Sequence, residues 1–200
     1  GPQRMMAGLS DYLVLPPGYN PRTLQWAADL QRETGGDPVA LIERVLAQLR
    51  TGGYTYTLEP DQYGQHTADE FWFDRKAGFC EHMASAFAVL MRAAGIPARI
   101  VTGYQGGQLN AVDNYWVVRQ SDAHAWTEVW LAGQGWVRVD PTASVMPGRI
   151  GSLQRLLAPR SAVATAVATA MGTVISPTFV QSVRAVWDGV NNAWNQRILN

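Results

Sequence analysis

The feature that most constrains this chain is a change of period at Gly95-Ile96-Pro97. Before it, apolar residues recur at helical spacing; after it they alternate as strand residues do. Glycine ends the preceding helix, and the residue before a proline is pushed into extended backbone, so the boundary is sharp. Helices first and strands afterwards predict an α+β fold, in which a helix packs against an antiparallel β-sheet.

On the helical side, Asn20-Pro21 supplies a cap and a proline at the first helical position. This predicts a helix over about 21–34 with Leu24, Ala27, Ala28 and Gln31 facing inward, ended by Gly35-Gly36. Asp37-Pro38 repeats the start signal, and Val39, Ile42, Val45, Leu46 and Leu49 keep helical spacing up to Gly52-Gly53. Residues 54–58 alternate as a short strand, 59–67 read as a loop, and 68–74 make one or two helical turns. The cluster Phe71-Trp72-Phe73 on those turns is expected to seal the core. Beyond Pro97 the segments 98–105, 114–120, 123–131 and 136–140 read as strands, and their short connections imply antiparallel pairing.

The expected organisation has three parts. Residues 1–20 are a lead-in, whose Gly1-Pro2 looks like a tag-cleavage scar, so the chain is expected to have been cut from something longer. Residues 21–147 form the main domain, and 148–200 an extension with a low-complexity stretch at 161–173. Phe179, Val183, Val186, Trp187, Val190, Trp194 and Ile198 form a stripe along a terminal helix, which either packs on the domain or leads towards a bilayer. No apolar run reaches the roughly twenty residues that span a membrane.

Sixteen basic and sixteen acidic side chains give no net charge, which excludes a basic nucleic-acid footprint and an acidic tail. The three histidines lack ligand spacing and no acidic loop resembles a calcium site, so neither a metal nor a cofactor is expected. A single cysteine cannot form an internal disulfide and leaves the redox compartment open.

That cysteine, Cys80, opens the last helix before the boundary, with Ala84, Phe87, Ala88 and Met91 on its stripe. A helix start exposes unpaired N–H groups and the positive end of the macrodipole, and both favour thiolate, the nucleophilic form. A lone cysteine is also commonly a small buried hydrophobe. To act as a nucleophile it needs a base and a group that orients the base. His82 lies two residues away on the same helix and points to another face; His66 lies in a loop.

His124 opens a strand whose neighbour ends in Asp140-Pro141-Thr142. A register centred on Gly133 sets Val129 opposite Val137, Glu128 opposite Arg138 and Trp130 opposite Trp136. Asp140 then falls opposite Trp126, one diagonal step from His124 on the same face. A slip of one residue would send it to the other face. An imidazole nitrogen of His124 is therefore expected within hydrogen-bond distance of the Asp140 carboxylate.

Gly78-Phe79-Cys80-Glu81-His82-Met83-Ala84, Arg92-Ala93-Ala94-Gly95-Ile96-Pro97-Ala98-Arg99 with Gly103-Tyr104, His124-Ala125-Trp126-Thr127-Glu128-Val129, and Gly135-Trp136 leading to Asp140-Pro141-Thr142 resemble the transglutaminase-like core of the papain-like cysteine enzymes. The resemblance covers roughly residues 54 to 143, with the blocks in order. The Phe-Cys-Glu-His block and the Leu-Pro-Pro…Asn-Pro lead-in look more narrowly like the extracytoplasmic domain of bacterial multi-pass membrane proteins. The resemblance implies Cys80 as nucleophile, His124 as base and Asp140 as orienting acid. It also implies a periplasmic or cell-exterior domain of an inner-membrane protein, anchored through segments outside this chain.

The implied reaction is acyl transfer from a glutamine carboxamide of a protein or peptide to an amine through a thioester, or deamidation when water replaces the amine. The Cys80 backbone N–H is a natural oxyanion donor. Animal relatives add an upstream tryptophan without a clear counterpart here, and Tyr54, Tyr56 or Trp72 are candidates for that place, with Trp126 lining the substrate site. A peptidase or amidase acting on protein or cell-wall peptides, and a catalytically silent peptide-binding module, are the alternatives.

Overall fold

The computed structural model of this chain describes residues 8–110 and 113–146. The tag scar, the low-complexity stretch and the terminal stripe lie outside the described residues. The described residues divide into two compact units, 8–103 with 124–146 and 104–110 with 113–123.

The larger unit begins with helices α1 (Pro21–Glu33) and α2 (Pro38–Thr51). Asp37 caps α2 as expected, its carboxylate accepting from Val39 and Ala40 N–H. Asn20 differs from the expectation: at φ 54° it makes no side-chain bond to α1. Its Oδ1 instead accepts from the N–H groups of Ala68 and Asp69, at the start of the short helix α3 (Thr67–Asp69). Asp69 in turn serves α1, accepting from Arg22 N–H, Thr23 N–H and the Thr23 hydroxyl. This exchange of caps rotates α1, so that Thr23, Ala27 and Leu30 are buried while Leu24 and Ala28 face solvent. Gln31 is exposed as well, although its side-chain amide donates to the Ala94 carbonyl.

α3 runs into a π-helical turn, Glu70–Arg75, that buries Phe71 and Trp72 and ends on Lys76 in the left-handed region. The expected strand at 54–58 contracts to β1 (Thr55–Tyr56), which pairs in parallel with β2 (Ala77–Gly78). α4 (Cys80–Ala93) is buried on more than its expected stripe, since Met83, Ala86 and Leu90 join Ala84, Phe87, Ala88 and Met91 in the interior. It runs through the middle of the core. Arg92 ties its end to the next strand and the lead-in, donating to the Ala98 and Val14 carbonyls.

After Gly95, with φ at 72°, the sheet begins. β3 (Ala98–Tyr104), β6 (Ala123–Leu131) and β7 (Gly135–Val139) form three strands in the order β3-β6-β7. β6 and β7 are antiparallel with Val129 opposite Val137, Glu128 opposite Arg138 and Trp130 opposite Trp136, the register expected from the Gly133 turn. Gly133 and Gly135 both hold φ at 80°, a conformation that a β-branched residue would resist. A short helix, α5 (Pro141–Val145), follows Asp140.

The smaller unit corrects one expectation. The segment near 114–120 does not join the main sheet but forms a separate hairpin, β5 (Tyr115–Val117) against β4 (Gln108–Asn110). Gly106 and Gly107, at φ 100° and 145°, give the backbone a course that other residues rarely adopt. Among the described residues no helix is long and apolar enough to cross a membrane.

Candidate active site

Cys80 is the first residue of α4, with Phe79 extended before it. It is nearly buried and packs with Ala84, Ala125 and Phe79 in a small cluster apart from the main core. Gly78 is required by its neighbour on the next turn. A Cβ there would lie 2.8 Å from the His82 Cβ and 3.0 Å from its Cγ. The glycine that approaches the cysteine thus lets His82 fold back over β2.

β6 is fastened to α4 near the cysteine by the Thr127 hydroxyl, which donates to the Ala84 carbonyl at 3.0 Å. Three residues upstream, His124 is buried, and its Nε2 lies 2.7 Å from Asp140 Oδ2. The diagonal pairing expected from the strand register therefore forms a hydrogen bond. A carboxylate can only accept, so Nε2 carries the proton and Nδ1 remains for the sulfur. Asp140 occupies the N-cap position of α5 yet makes no capping bond, because its carboxylate is turned to the imidazole.

Electrostatics follow from this placement. Burial depresses the His124 pKa, but the hydrogen bond to Asp140 and the attraction of the Asp140 and Cys80 charges outweigh it and push the value up to about 9. Burial alone would raise the Asp140 pKa; bonding and charge from His124 and Arg138 hold it below the ordinary aspartate value. With that value the imidazole is protonated at neutral pH, and a cysteine beside an imidazolium gives up its proton more readily than a free one. Such a pair can attack a carbonyl carbon and then return a proton to the leaving group.

The other histidines are occupied differently. His66 Nδ1 accepts from Asn20 N–H at the exchanged caps. His82 packs on Tyr63 at a tilt and meets Phe79 edge-on, and burial lowers its pKa despite Glu81. Neither stands with Cys80 and Asp140.

Of the aromatic candidates, Trp126 lies beside His124, with ring centres 6.1 Å apart and planes 26° apart. Its indole nitrogen is buried without a hydrogen-bond partner. Tyr56 sits opposite Gly78 in the β1–β2 pairing, next to the approach to Cys80. Trp72 and Tyr54 point their polar atoms elsewhere: Trp72 Nε1 donates to the Ala86 carbonyl, and the Tyr54 hydroxyl donates to the Trp72 carbonyl. Their donors serve packing, which weakens the case for either at an oxyanion.

Cross-strand pairing sets Arg138 against Glu128, but the two do not bond. Glu128 instead receives two bonds from Arg99, and Arg138 reaches along its own strand to Asp140 Oδ2 at 3.4 Å. The strand alternation already carried the signal, because residues two apart share a face. Among the described residues no group of three or more His, Cys, Asp or Glu side chains is placed to hold a metal.

Comparison with known proteins bears on the same residues. A family model of the transglutaminase-like superfamily matches residues 25–141. A protein-glutamine gamma-glutamyltransferase of Pseudomonas aeruginosa is 42% identical over 189 residues, 94% of this chain and 28% of the relative. YebA, an uncharacterized protein of Bacillus subtilis, is 34% identical over 140 residues, 66% of this chain and 19% of the relative. The crystal structure of the periplasmic domain of TgpA from Pseudomonas aeruginosa matches with a TM-score of 0.71 at 45% identity, covering 74% of this chain and 51% of that one. The chain thus spans less than a third of either curated relative. The family model covers more than half of the chain and takes in the cysteine helix, the histidine strand and the aspartate, and on that ground the chain belongs to the transglutaminase-like superfamily.

Proposed function

We propose that this chain is the catalytic domain of a protein-glutamine gamma-glutamyltransferase, with Cys80, His124 and Asp140 as its triad. The observation that carries the proposal is a buried imidazole bonded to the Asp140 carboxylate, on the strand whose next residue, Ala125, packs against a cysteine at a helix start. The name of the Pseudomonas relative supports the choice of reaction.

The Cys80 thiolate attacks the carboxamide carbon of a glutamine side chain. Its negative charge moves to the carbonyl oxygen, which the N–H groups of the first turn of α4 are oriented to stabilise. The His124 imidazolium protonates the departing ammonia, leaving a γ-glutamyl thioester on Cys80. An incoming lysine amine then gives its proton to His124, attacks the thioester and releases the thiolate, forming an isopeptide bond. Water in place of the amine yields glutamate. Asp140 holds the ring throughout and stabilises its charged form.

The likeness to the periplasmic domain of TgpA supports an extracytoplasmic setting, and the domain is proposed to work in the periplasm, tethered to the inner membrane by segments beyond this chain. Its partners are then extracytoplasmic proteins that offer glutamine and lysine side chains.

Incorporation of a labelled primary amine into a glutamine donor, run beside a peptide-cleavage assay on wild type and Cys80→Ala, tests the reaction class. Incorporation lost in the variant supports acyl transfer. Cys80-dependent cleavage without incorporation would establish the peptidase reading instead, and binding without turnover would establish a silent module.

A further inference from the structure

One face of the β6–β7 pair carries a layered arrangement that the triad alone does not explain. The Arg138 guanidinium lies 4.2 Å above the centre of the Trp126 ring, and the Trp126 ring stacks on His124. The same guanidinium bonds Asp140 Oδ2, the oxygen that holds His124 Nε2. Arg138 is therefore joined to the imidazole by two routes, through a shared carboxylate oxygen and through an aromatic ring. It remains about half exposed, with its side chain at 47% of full accessibility.

We propose that Arg138 is a positioning residue that shares the Asp140 carboxylate with His124 and thereby sets the pH window of the thiolate–imidazolium pair. The proposal rests on the triad reading. A fixed cation beside Asp140 offsets part of the carboxylate's pull on the imidazolium, so His124 gives up its proton at a lower pH than it would against an unshared aspartate. The same cation favours the Cys80 thiolate. Trp126 keeps the guanidinium in place: a cation over an indole face is attracted to it, and the planar Arg group lies flat where a lysine would not.

The charged groups around the pair are few. β6 brings His124 and Glu128, β7 brings Arg138 and leads into Asp140, α4 brings Cys80 followed by the exposed Glu81 and by His82, and β3 brings Arg99, whose charge is already matched by Glu128. α5 carries no titratable side chain. Arg138 is thus the cation bonded directly to the orienting carboxylate.

The sign of the effect separates tuning from simple support. If Arg138 acts through its charge, Arg138→Met raises both the pH at which the Cys80 thiolate forms and the pH at which His124 deprotonates. The expected rise is roughly half a pH unit, the scale for a half-exposed cation screened by water. If Arg138 only braces Asp140, its removal loosens the His124–Asp140 bond and the imidazolium is lost at a lower pH.

The experiment follows thiolate ultraviolet absorbance, with Cys80→Ala as the blank, and the His124 ring signals by NMR across pH in wild type, Arg138→Met and Arg138→Lys. Because Cys80 is the single cysteine, the absorbance has one source. Upward movement of both transitions in Arg138→Met, with Arg138→Lys closer to wild type, supports the proposal. Unchanged or downward transitions in a folded Arg138→Met overturn it while leaving the triad intact. A wild-type thiol that ionises in the ordinary cysteine range overturns the triad reading itself, and the tuning proposal with it.

Discussion

Two buried polar networks in this molecule are built from the same parts: a histidine, an aspartate and the start of a helix. At the exchanged caps, Asp69 accepts three hydrogen bonds, Asn20 accepts two, and His66 accepts one from the backbone. At the candidate site, Asp140 Oδ1, Trp126 Nε1 and Thr142 Oγ1 are buried without partners, and Asp140 leaves its helix uncapped. The first network uses its bonding capacity to hold α1 against α3. The second keeps capacity in reserve and places a charged ring beside a thiol. Unmet polar groups cost stability, so their clustering around one ion pair is what a reactive site looks like when it is set beside a structural one.

Breaking the second network should abolish activity without unfolding the chain. Cys80→Ala is expected to lower amine incorporation by about ten-thousand-fold or more, with the circular dichroism spectrum unchanged. His124→Ala should come within an order of magnitude of that loss, whereas His66→Ala and His82→Ala should retain activity within about tenfold, as measured by kcat/KM. Equal inactivation by His82→Ala would mean that the wrong histidine has been assigned as the base.

Breaking the first network should do the reverse. Asp69→Ala leaves two helix-start N–H groups and a buried hydroxyl unsatisfied, and is expected to cost about 3 kcal/mol in urea unfolding with little change in kcat. Gly78→Ala tests the seam between β2 and α4. The added methyl must displace His82, so a loss of about 1–3 kcal/mol is expected, together with reduced activity from a shifted Cys80. The double variant Gly78→Ala/His82→Ala should recover only part of the stability, because the contact with the ring goes while the 2.8 Å contact with the residue-82 Cβ stays.

The smallest effect distinguishes the networks by pH. A histidine that is protonated more readily folded than unfolded adds stability that is fully present below about pH 6.5 and fades as the pH rises through about 9. Wild-type melting temperature should therefore fall across that window by more than that of His124→Gln.

How much of this is legible from residues alone depends on range. The β6–β7 register is readable because a Gly-rich turn fixes it locally and one slip would reverse every side chain. With it comes the His124–Asp140 bond, while the helix start at Cys80 is marked by the helical stripe that follows it. The cap exchange is not readable, since it joins residues 46 to 49 positions apart and nothing in the local pattern of Asn20 or Asp69 announces the other. That same exchange turns α1 away from its expected face. The π-helical turn and the parallel β1–β2 contact are hidden for a similar reason, their geometry being set by how Phe71 and Trp72 pack rather than by period. Arg138 is legible only in part: strand alternation puts it on the face of Asp140, but cross-strand charge complementarity points it to Glu128, which Arg99 occupies from β3.

The central claim is that Cys80 carries the acyl group. Intact-protein mass spectrometry of an acid-quenched reaction with a glutamine-containing peptide and no added amine tests it directly. The expected result is an adduct of the peptide less ammonia, mapped to Cys80 and lost on adding a primary amine. Amine incorporation that proceeds with Cys80 unmodified, or that survives in Cys80→Ala, would contradict it.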